Sequence, residues 1–219
     1  MIVQIYEIKN SEEAKKIEAI GVDHIGMVVG TGKRPFEISF QKAKKIFSNL
    51  TKAKSVALTL DESFEDFKQV AEKVNPDIIH LCAKPEKMNF RDIKQLRKEF
   101  PKIKIMVAVP VINNSSIDLA KEYGKIADFL ILDTFNKKMN EIGVAGIPHD
   151  WNISKQIVDS VKIPVILAGG LGPENVQEAI KKVRPAGVDS KTKTDLKSGK
   201  GKDLKKVSEF YLKANSVKN

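Results

Sequence analysis

The chain has 219 residues, of which 42% are hydrophobic and 30% are charged, with a formal net charge of +10. This length buries one sizeable core, so we expect one domain over residues 1–219. No stretch approaches the roughly 18 apolar residues of a membrane span, and no basic leader precedes the first apolar run, so we expect a cytoplasmic protein without a membrane partner. One cysteine excludes an internal disulfide framework, and three histidines without ligand spacing argue against a bound metal.

The positive charge comes mostly from lysine. Lysines dispersed along amphipathic helices are typical of a solvated face, and one denser cluster stands out over residues 191–206. Charge without a nucleic-acid-binding fold signature does not favour a nucleic-acid partner. A phosphorylated small molecule fits this basic balance at least as well.

Hydrophobic periodicity alternates β-rich runs with amphipathic helices along the chain. The predicted strands cover residues 2–8, 23–29, 54–60, 77–82, 104–110, 128–133, 165–169 and 187–190. The predicted helices cover residues 11–20, 39–50, 63–74, 89–100, 115–124, 154–161, 173–183 and 203–214. Several helices open with Ser, Asp or Asn followed three residues later by Glu, Gln or Asp, the arrangement that caps a first turn.

Eight strand–helix units predict an α/β fold, a single (β/α)8 TIM barrel, with an open doubly wound sheet as the alternative. In a barrel, the chemistry lies at the carboxyl ends of the strands. Gly169 and Gly170 follow the seventh predicted strand, where exposed backbone N–H groups commonly hold phosphate. The alternative for these two glycines is a tight turn that needs their conformational freedom.

Four segments carry a recognisable pattern. They read PVILAGGLGPENVQEAIKKVRPAGVD (164–189), FLILDT (129–134) followed by GVAGIPHDW (143–151), GVDHIGMVVGTGKRPFEISFQKAKKI (21–46), and SFEDFKQVAEKVNPDIIHLC (63–82). Together they resemble the phosphoribosylanthranilate isomerase family over essentially the whole chain. The resemblance implies a barrel enzyme of tryptophan biosynthesis that performs an Amadori rearrangement of a phosphorylated ribosylamine without a cofactor.

The resemblance also implies roles for individual residues. The family uses a general acid to protonate the ribose ring oxygen, and Asp133 matches that acid. Its pKa must be raised, to which the flanking Leu132 and Phe135 are expected to contribute. Arg34 matches the arginine that meets the anthranilate carboxylate, and Asp189 matches an acidic residue at the end of the last strand. The alternatives are a helix-cap or turn role for Asp133 and an exposed loop role for Arg34.

Three strand ends depart from the family's pattern. Tyr6, in QIYEI (4–8), stands where a Lys-Ile-Cys-Gly-type motif has its general-base cysteine, and tyrosine, with a pKa near 10, is a poor base at neutral pH. At the fourth predicted strand, His80-Leu81-Cys82-Ala83 replaces Gln-Leu-His-Gly. After the last strand, Lys191-Thr192-Lys193 replaces Ser-Ser-Gly.

Two residues are candidates for the missing base. Cys82 takes the family's histidine position, and strand alternation should aim its thiol into the mouth, although a buried apolar cysteine is the plainer interpretation. Glu7 leans toward the other face of its strand but lies at the strand end, where the chain can bend inward. Tyr6 and His80 are expected to line the substrate site. The residues expected to bind phosphate, the lysines as point charges, are Gly169, Gly170, Lys191, Thr192 and Lys193.

Three functions remain open from the sequence. The first is the Amadori isomerase, rebuilt around Asp133 with Cys82 or Glu7 as the base. The second is a related barrel enzyme acting on another sugar phosphate, and the third is a non-catalytic barrel that binds a phosphorylated ligand or a protein partner. The resembled family contains monomers and dimers, so a homodimer also stays open.

Overall fold

The computed structural model describes residues 1–34, 36–82, 87–136, 141–142 and 148–217. The strands are β1 (Ile2–Ile5), β2 (His24–Gly30), β3 (Ile38–Ser39), β4 (Lys54–Leu58), β5 (Ile78–Leu81), β6 (Lys104–Val111), β7 (Phe129–Asn136), β8 (Glu141–Ile142), β9 (Val165–Leu167) and β10 (Gly187–Ser190). The helices are α1 (Ser11–Ile20), α2 (Phe40–Phe47), α3 (Phe64–Val74), α4 (Phe90–Glu99), α5 (Ser115–Tyr123), α6 (Trp151–Ser160), α7 (Val176–Val183) and α8 (Leu204–Ser216).

Eight of these strands form a closed parallel barrel. Around the barrel the order is β1, β10, β9, β7, β6, β5, β4 and β2, and β1 also pairs with β2. The predicted (β/α)8 barrel is therefore confirmed, and the open doubly wound sheet is wrong, because β1 has a hydrogen-bonded neighbour on both sides. The short strands β3 and β8 lie outside the barrel and pair with β2 and β7.

The strands are apolar on both faces because one face lines the barrel and the other meets the helices. Alternation along each strand assigns the side chains to these two layers. Val3, Ile5, Leu130 and Leu132 belong to the outer layer. The buried inner cluster consists of Tyr6, Val56, Ile78, Met106, Ala108, Ile131, Ile166 and Ala168.

Six helices begin within one residue of the predicted start, but α6 begins at Trp151 instead of 154 and α7 at Val176 instead of 173. Ser63 and Asn89 precede α3 and α4, and each forms a reciprocal capping box with the aspartate three residues later. Asn10 caps α1 by accepting a hydrogen bond from the Glu13 N–H. Within the described part of the chain, no helix is both long enough and apolar enough to span a bilayer.

The first strand departs from its predicted extent. It was expected over residues 2–8 but ends at Ile5, and Glu7 has a φ of 64°, which ends the extended conformation. The flanking residues stay attached to neighbouring strands: the Tyr6 N–H donates to the Ser190 carbonyl and the Ile8 N–H to the Gly26 carbonyl. The reversal at Glu7 therefore occurs between two fixed points at the rim of the barrel.

Candidate active site

The carboxyl ends of the barrel strands bring the predicted site residues to one mouth. Five predicted site residues occupy inward-facing positions: Tyr6, His80, Cys82, Asp133 and Asp189. Each lies an even number of residues from a residue of the inner cluster on its own strand, or pairs in register with an inward-facing residue of the neighbouring strand. Two loops complete the rim. They carry Gly169 and Gly170 after β9, and Lys191, Thr192 and Lys193 after β10.

Tyr6 fills the centre of the barrel and contacts His80. Its hydroxyl oxygen lies 2.6 Å from His80 Nδ1, and both residues are buried. Gly26 makes room for the ring, because a Cβ at that position would lie 2.7 Å from it. Burial, and then the charge of Asp189, raises the pKa of Tyr6 well above 10, while burial lowers the pKa of His80 to about 3. Both side chains are therefore neutral at physiological pH, and the phenol is not a base there.

Asp133 and Asp189 are the two carboxyls of the barrel interior. Desolvation raises the pKa of Asp133 to about 6, although the residue keeps some exposure, and the Thr134 N–H, 2.7 Å from Oδ1, opposes that rise. Desolvation raises the pKa of Asp189 to about 7; a hydrogen bond from Gln4 Nε2 at 3.1 Å opposes this and the nearby Asp133 adds to it. Near neutral pH the pair therefore retains a proton.

Glu7 and Lys191 form an ion pair at the rim. Lys191 Nζ lies 2.5 Å from Glu7 Oε1, and the side chain of Glu7 is 5% exposed against 33% for Lys191. The same ammonium lies 5.3 Å from the centroid of the Phe36 ring. Its charge lowers the pKa of both Asp133 and Asp189, which places it among the acidic groups of the mouth.

The loops after β9 and β10 are tied to each other. Ser190 Oγ donates to the Leu171 carbonyl at 2.7 Å, and Asn175 holds the first loop through the Gly170 carbonyl and the Gly172 N–H. Gly169 and Gly170 have φ values of 81° and 63°, so glycine is required there by conformation. Gly169 also packs tightly, since a Cβ would lie 2.7 Å from Thr134 Oγ1.

These two loops present unused backbone donors. Among the hydrogen bonds of the described residues, none uses the N–H of Gly169, Gly170, Thr192 or Lys193. Thr192 and Lys193 begin the short 3-10 turn Thr192–Thr194, and both side chains are exposed. Lys193 Nζ lies 3.3 Å from Glu174, away from Lys191, so the two lysines point to different acidic partners. Free N–H groups on adjacent loops are suited to a phosphate.

Arg34 lies on the loop after β2. Its guanidinium is 2.5 Å from Asp61, which follows β4, and this hydrogen bond raises the pKa of Arg34. The loop folds around the carboxylate of Glu37, which accepts hydrogen bonds from the N–H groups of Gly32 and Lys33. The arginine is about half exposed and remains at the surface.

Cys82 lies just past β5 and is partly exposed. Its sulfur is 4.0 Å from the carbonyl oxygen of Ile142. Cys82 also packs against the inner apolar cluster, although it keeps some solvent exposure. Its role as the base stays a prediction.

Sequence reasoning missed two residues that shape the site. Gln4 joins Asp189 to His24, whose Nδ1 lies 3.1 Å from Gln4 Oε1, and its position two residues before Tyr6 is the signal that could have found it. Lys202 was grouped with the exposed lysines of 191–206, but its side chain is fully buried. It contacts Asp195 at 2.6 Å and the Lys191 carbonyl at 2.9 Å, and no local pattern distinguishes it.

Known proteins resemble this chain over its whole length. The family model described as N-(5′phosphoribosyl)anthranilate (PRA) isomerase matches residues 3–213. N-(5′-phosphoribosyl)anthranilate isomerase 2 of Methanosarcina mazei is 35% identical over 99% of this chain and 95% of its own length. The N-(5′-phosphoribosyl)anthranilate isomerase of Pyrococcus furiosus superposes with a TM-score of 0.79 at 30% identity, over 99% of this chain and 100% of that one. A PRA isomerase solved with reduced 1-(o-carboxyphenylamino)-1-deoxyribulose 5-phosphate gives a TM-score of 0.80 at 26% identity, with the same two coverages. The chain therefore belongs to the PRA isomerase family.

Proposed function

We propose that this chain isomerises N-(5′-phosphoribosyl)anthranilate to 1-(o-carboxyphenylamino)-1-deoxyribulose 5-phosphate, a step of tryptophan biosynthesis. The observation that carries the proposal is Asp133, a carboxyl with a pKa of about 6 at the same mouth as two loops with unused N–H groups. The family match over residues 3–213 supports it. The relatives described above are all named as PRA isomerases, and nothing favours another sugar phosphate or a non-catalytic barrel.

In this mechanism Asp133 is the general acid. Its proton passes to the ribose ring oxygen, the ring opens, and an iminium forms at C1′. A base then takes the proton from C2′, and the resulting enol converts to the ketone as C1′ gains a proton and the C2′ hydroxyl loses one. A carboxyl with a raised pKa suits the first step because it has a larger protonated fraction near neutral pH than an ordinary aspartate, yet releases its proton readily.

The substrate's two anionic ends have separate partners in the proposal. The phosphate is held by the N–H groups of Gly169, Gly170, Thr192 and Lys193, with Lys191 as its counterion. The anthranilate carboxylate takes the place of Asp61 beside Arg34. Solvent screens an ion pair between exposed groups, so the substrate can exchange with Asp61 at little cost.

The test is turnover of freshly prepared N-(5′-phosphoribosyl)anthranilate, followed as loss of its fluorescence. Loss of the acid in Asp133→Asn should lower kcat by about 10²- to 10⁴-fold. Asp118→Asn, at an exposed position in α5, is the matched control and should match the wild type. No turnover above buffer by the folded wild type, or full activity in Asp133→Asn, would refute the proposal.

Assembly and location belong to the same proposal. A related structure describes monomers generated from a dimeric phosphoribosylanthranilate isomerase of Thermotoga maritima, 28% identical to this chain. We propose a homodimer here as well, acting in the cytoplasm. Sedimentation equilibrium of the 24.4 kDa chain distinguishes a dimer from a monomer directly.

A further inference from the structure

Glu7 is a buried acid in a strained backbone conformation. Its φ of 64° lies in the left-handed region, which is costly for a residue with a side chain. Because Tyr6 and Ile8 are both held by neighbouring strands, the reversal at Glu7 breaks the strand alternation. Without it, Glu7 would face the helices; with it, the carboxylate reaches Lys191 at the rim.

Lys191 is fixed at its backbone, and its ammonium is held by few groups. The carbonyl of Lys191 accepts hydrogen bonds from Lys202 Nζ and Thr194 Oγ1, both at 2.9 Å. Its ammonium forms an ion pair with the Glu7 carboxylate and lies 5.3 Å from the centroid of the Phe36 ring. Lys191 also directly precedes Thr192 and Lys193, whose N–H groups are unused. A phosphate on those N–H groups would be within reach of a long, flexible lysine side chain on the preceding residue.

We propose that Glu7 is the base that removes the C2′ proton, and that the substrate's phosphate releases it by taking Lys191 as its own counterion. The inference rests on the proposed isomerase activity. A phosphate carries more negative charge than a carboxylate and offers more acceptor oxygens, so the ammonium re-pairs when it arrives. Glu7 is then a buried carboxylate without its cation, available to accept the proton from C2′.

The protons balance over the cycle. Glu7 takes the proton from C2′ while the electrons of that C–H bond form the C1′–C2′ double bond and neutralise the iminium. Glu7 returns its proton to C1′, and the C2′ hydroxyl proton goes back to Asp133, which had protonated the ring oxygen. No oxidant, reductant or further reactant is needed.

The other side chains of the mouth are less suited to this step. Tyr6 is a neutral phenol paired with His80, and the Cys82 sulfur lies 4.0 Å from the carbonyl oxygen of Ile142. Asp189 lies deeper in the barrel than Tyr6, because it pairs in register with Gln4, two residues before Tyr6. Its carboxyl accepts a hydrogen bond from Gln4 Nε2. Glu7 combines a carboxylate that is 5% exposed with a cation, Lys191, that a phosphate can take away.

The first experiment removes the carboxylate. Glu7→Gln should lower kcat by about 10²- to 10⁴-fold, while Glu7→Asp should recover part of the loss. Glu7→Gly controls for folding, because glycine adopts a φ of 64° without strain. It should be as inactive as Glu7→Gln and still unfold cooperatively within about 4 °C of the wild type. Activity of Glu7→Gln within threefold of the wild type would overturn Glu7 as the base.

The second experiment measures inorganic phosphate as a ligand, by calorimetry and as a competitive inhibitor. Lys191→Met should weaken phosphate binding by about tenfold or more, whereas Glu7→Gln should strengthen it several-fold, because the competing carboxylate is gone. Lys200→Met, an exposed lysine of the same segment, is the matched control and should bind phosphate like the wild type. Unchanged phosphate affinity in Glu7→Gln would overturn the exchange.

The two experiments separate this inference from the proposed function. An inactive wild type refutes the isomerase and with it the role of Glu7 as its base, while the phosphate measurements still decide the exchange at Lys191. An active wild type that loses turnover in Asp133→Asn but keeps it in Glu7→Gln leaves the isomerase standing and overturns the base assignment.

Discussion

The pKa of Asp133 sets the pH range in which the acid works. Asp133 donates a proton only while it is protonated, and that fraction falls as pH rises through its pKa of about 6. We therefore expect kcat/KM to decrease above about pH 6, approaching tenfold for each pH unit. Asp189→Asn should leave this decrease near the same pH, because Asp189, with a pKa of about 7, is still mostly protonated and uncharged while Asp133 titrates. A profile that is flat from pH 6 to pH 9 would contradict the assignment of Asp133.

The pair of Tyr6 and His80 is a residue-scale contribution to stability. Tyr6→Phe removes the hydroxyl that lies 2.6 Å from His80 Nδ1 and leaves that nitrogen buried without its partner. The expected cost is about 1–3 kcal/mol in the free energy of unfolding, measured by urea denaturation. Tyr211→Phe is the control, since the Tyr211 hydroxyl makes no hydrogen bond in the described part of the chain. Equal stability of the two variants would show that the buried contact contributes nothing.

At the scale of an element, the loop after β10 depends on one buried ion pair. Lys202 Nζ joins Asp195 to the Lys191 carbonyl, so it fixes the segment that carries Thr192 and Lys193. Asp195 and Lys202 also face each other as an antiparallel bridge, which closes the loop 195–202 on itself. Lys202 is therefore a positioning residue for the phosphate loop.

Lys202→Met should lower the free energy of unfolding by about 2–3 kcal/mol. This loss is smaller than that expected from breaking a fully buried ion pair, because the side chain of Asp195 is 21% exposed. It should also raise KM several-fold with a smaller change in kcat, since the loop that binds phosphate loses its support. Lys205→Met, at an exposed position in α8, is the matched control. A loss of stability without any change in KM would mean that the pair serves the fold alone.

At the scale of the whole molecule, the net charge of +10 favours encounter with an anionic substrate. Salt screens this attraction, with a Debye length of about 10 Å at 0.1 M. We expect kcat/KM to fall several-fold between about 0.02 M and 0.3 M sodium chloride, while kcat changes little. A kcat/KM that does not depend on salt would show that the lysines contribute only a solvated surface.

Much of the fold was accessible from the sequence, because both signals that define a barrel are local. Apolar runs alternating with amphipathic helices predicted the eight barrel strands and eight helices, and Ser63 and Asn89 marked helix starts that the structure confirms. Asp133 was predicted as the last residue of its strand, and it does lie toward the carboxyl end of β7, although that strand continues to Asn136. Parallel strands bring their carboxyl ends together whatever the details of packing.

The sequence by itself determined the barrel, the family and the set of strand ends that carry polar residues. It could not determine which of those residues meet, because partners such as Tyr6 and His80 lie 74 positions apart and touch only after the barrel closes. Two features were decided by the tertiary structure alone. Lys202 is buried although lysine normally lies at the surface, and Glu7 turns toward Lys191 because strands on both sides hold its neighbours. Pairing between distant segments sets these contacts, and no local pattern records it.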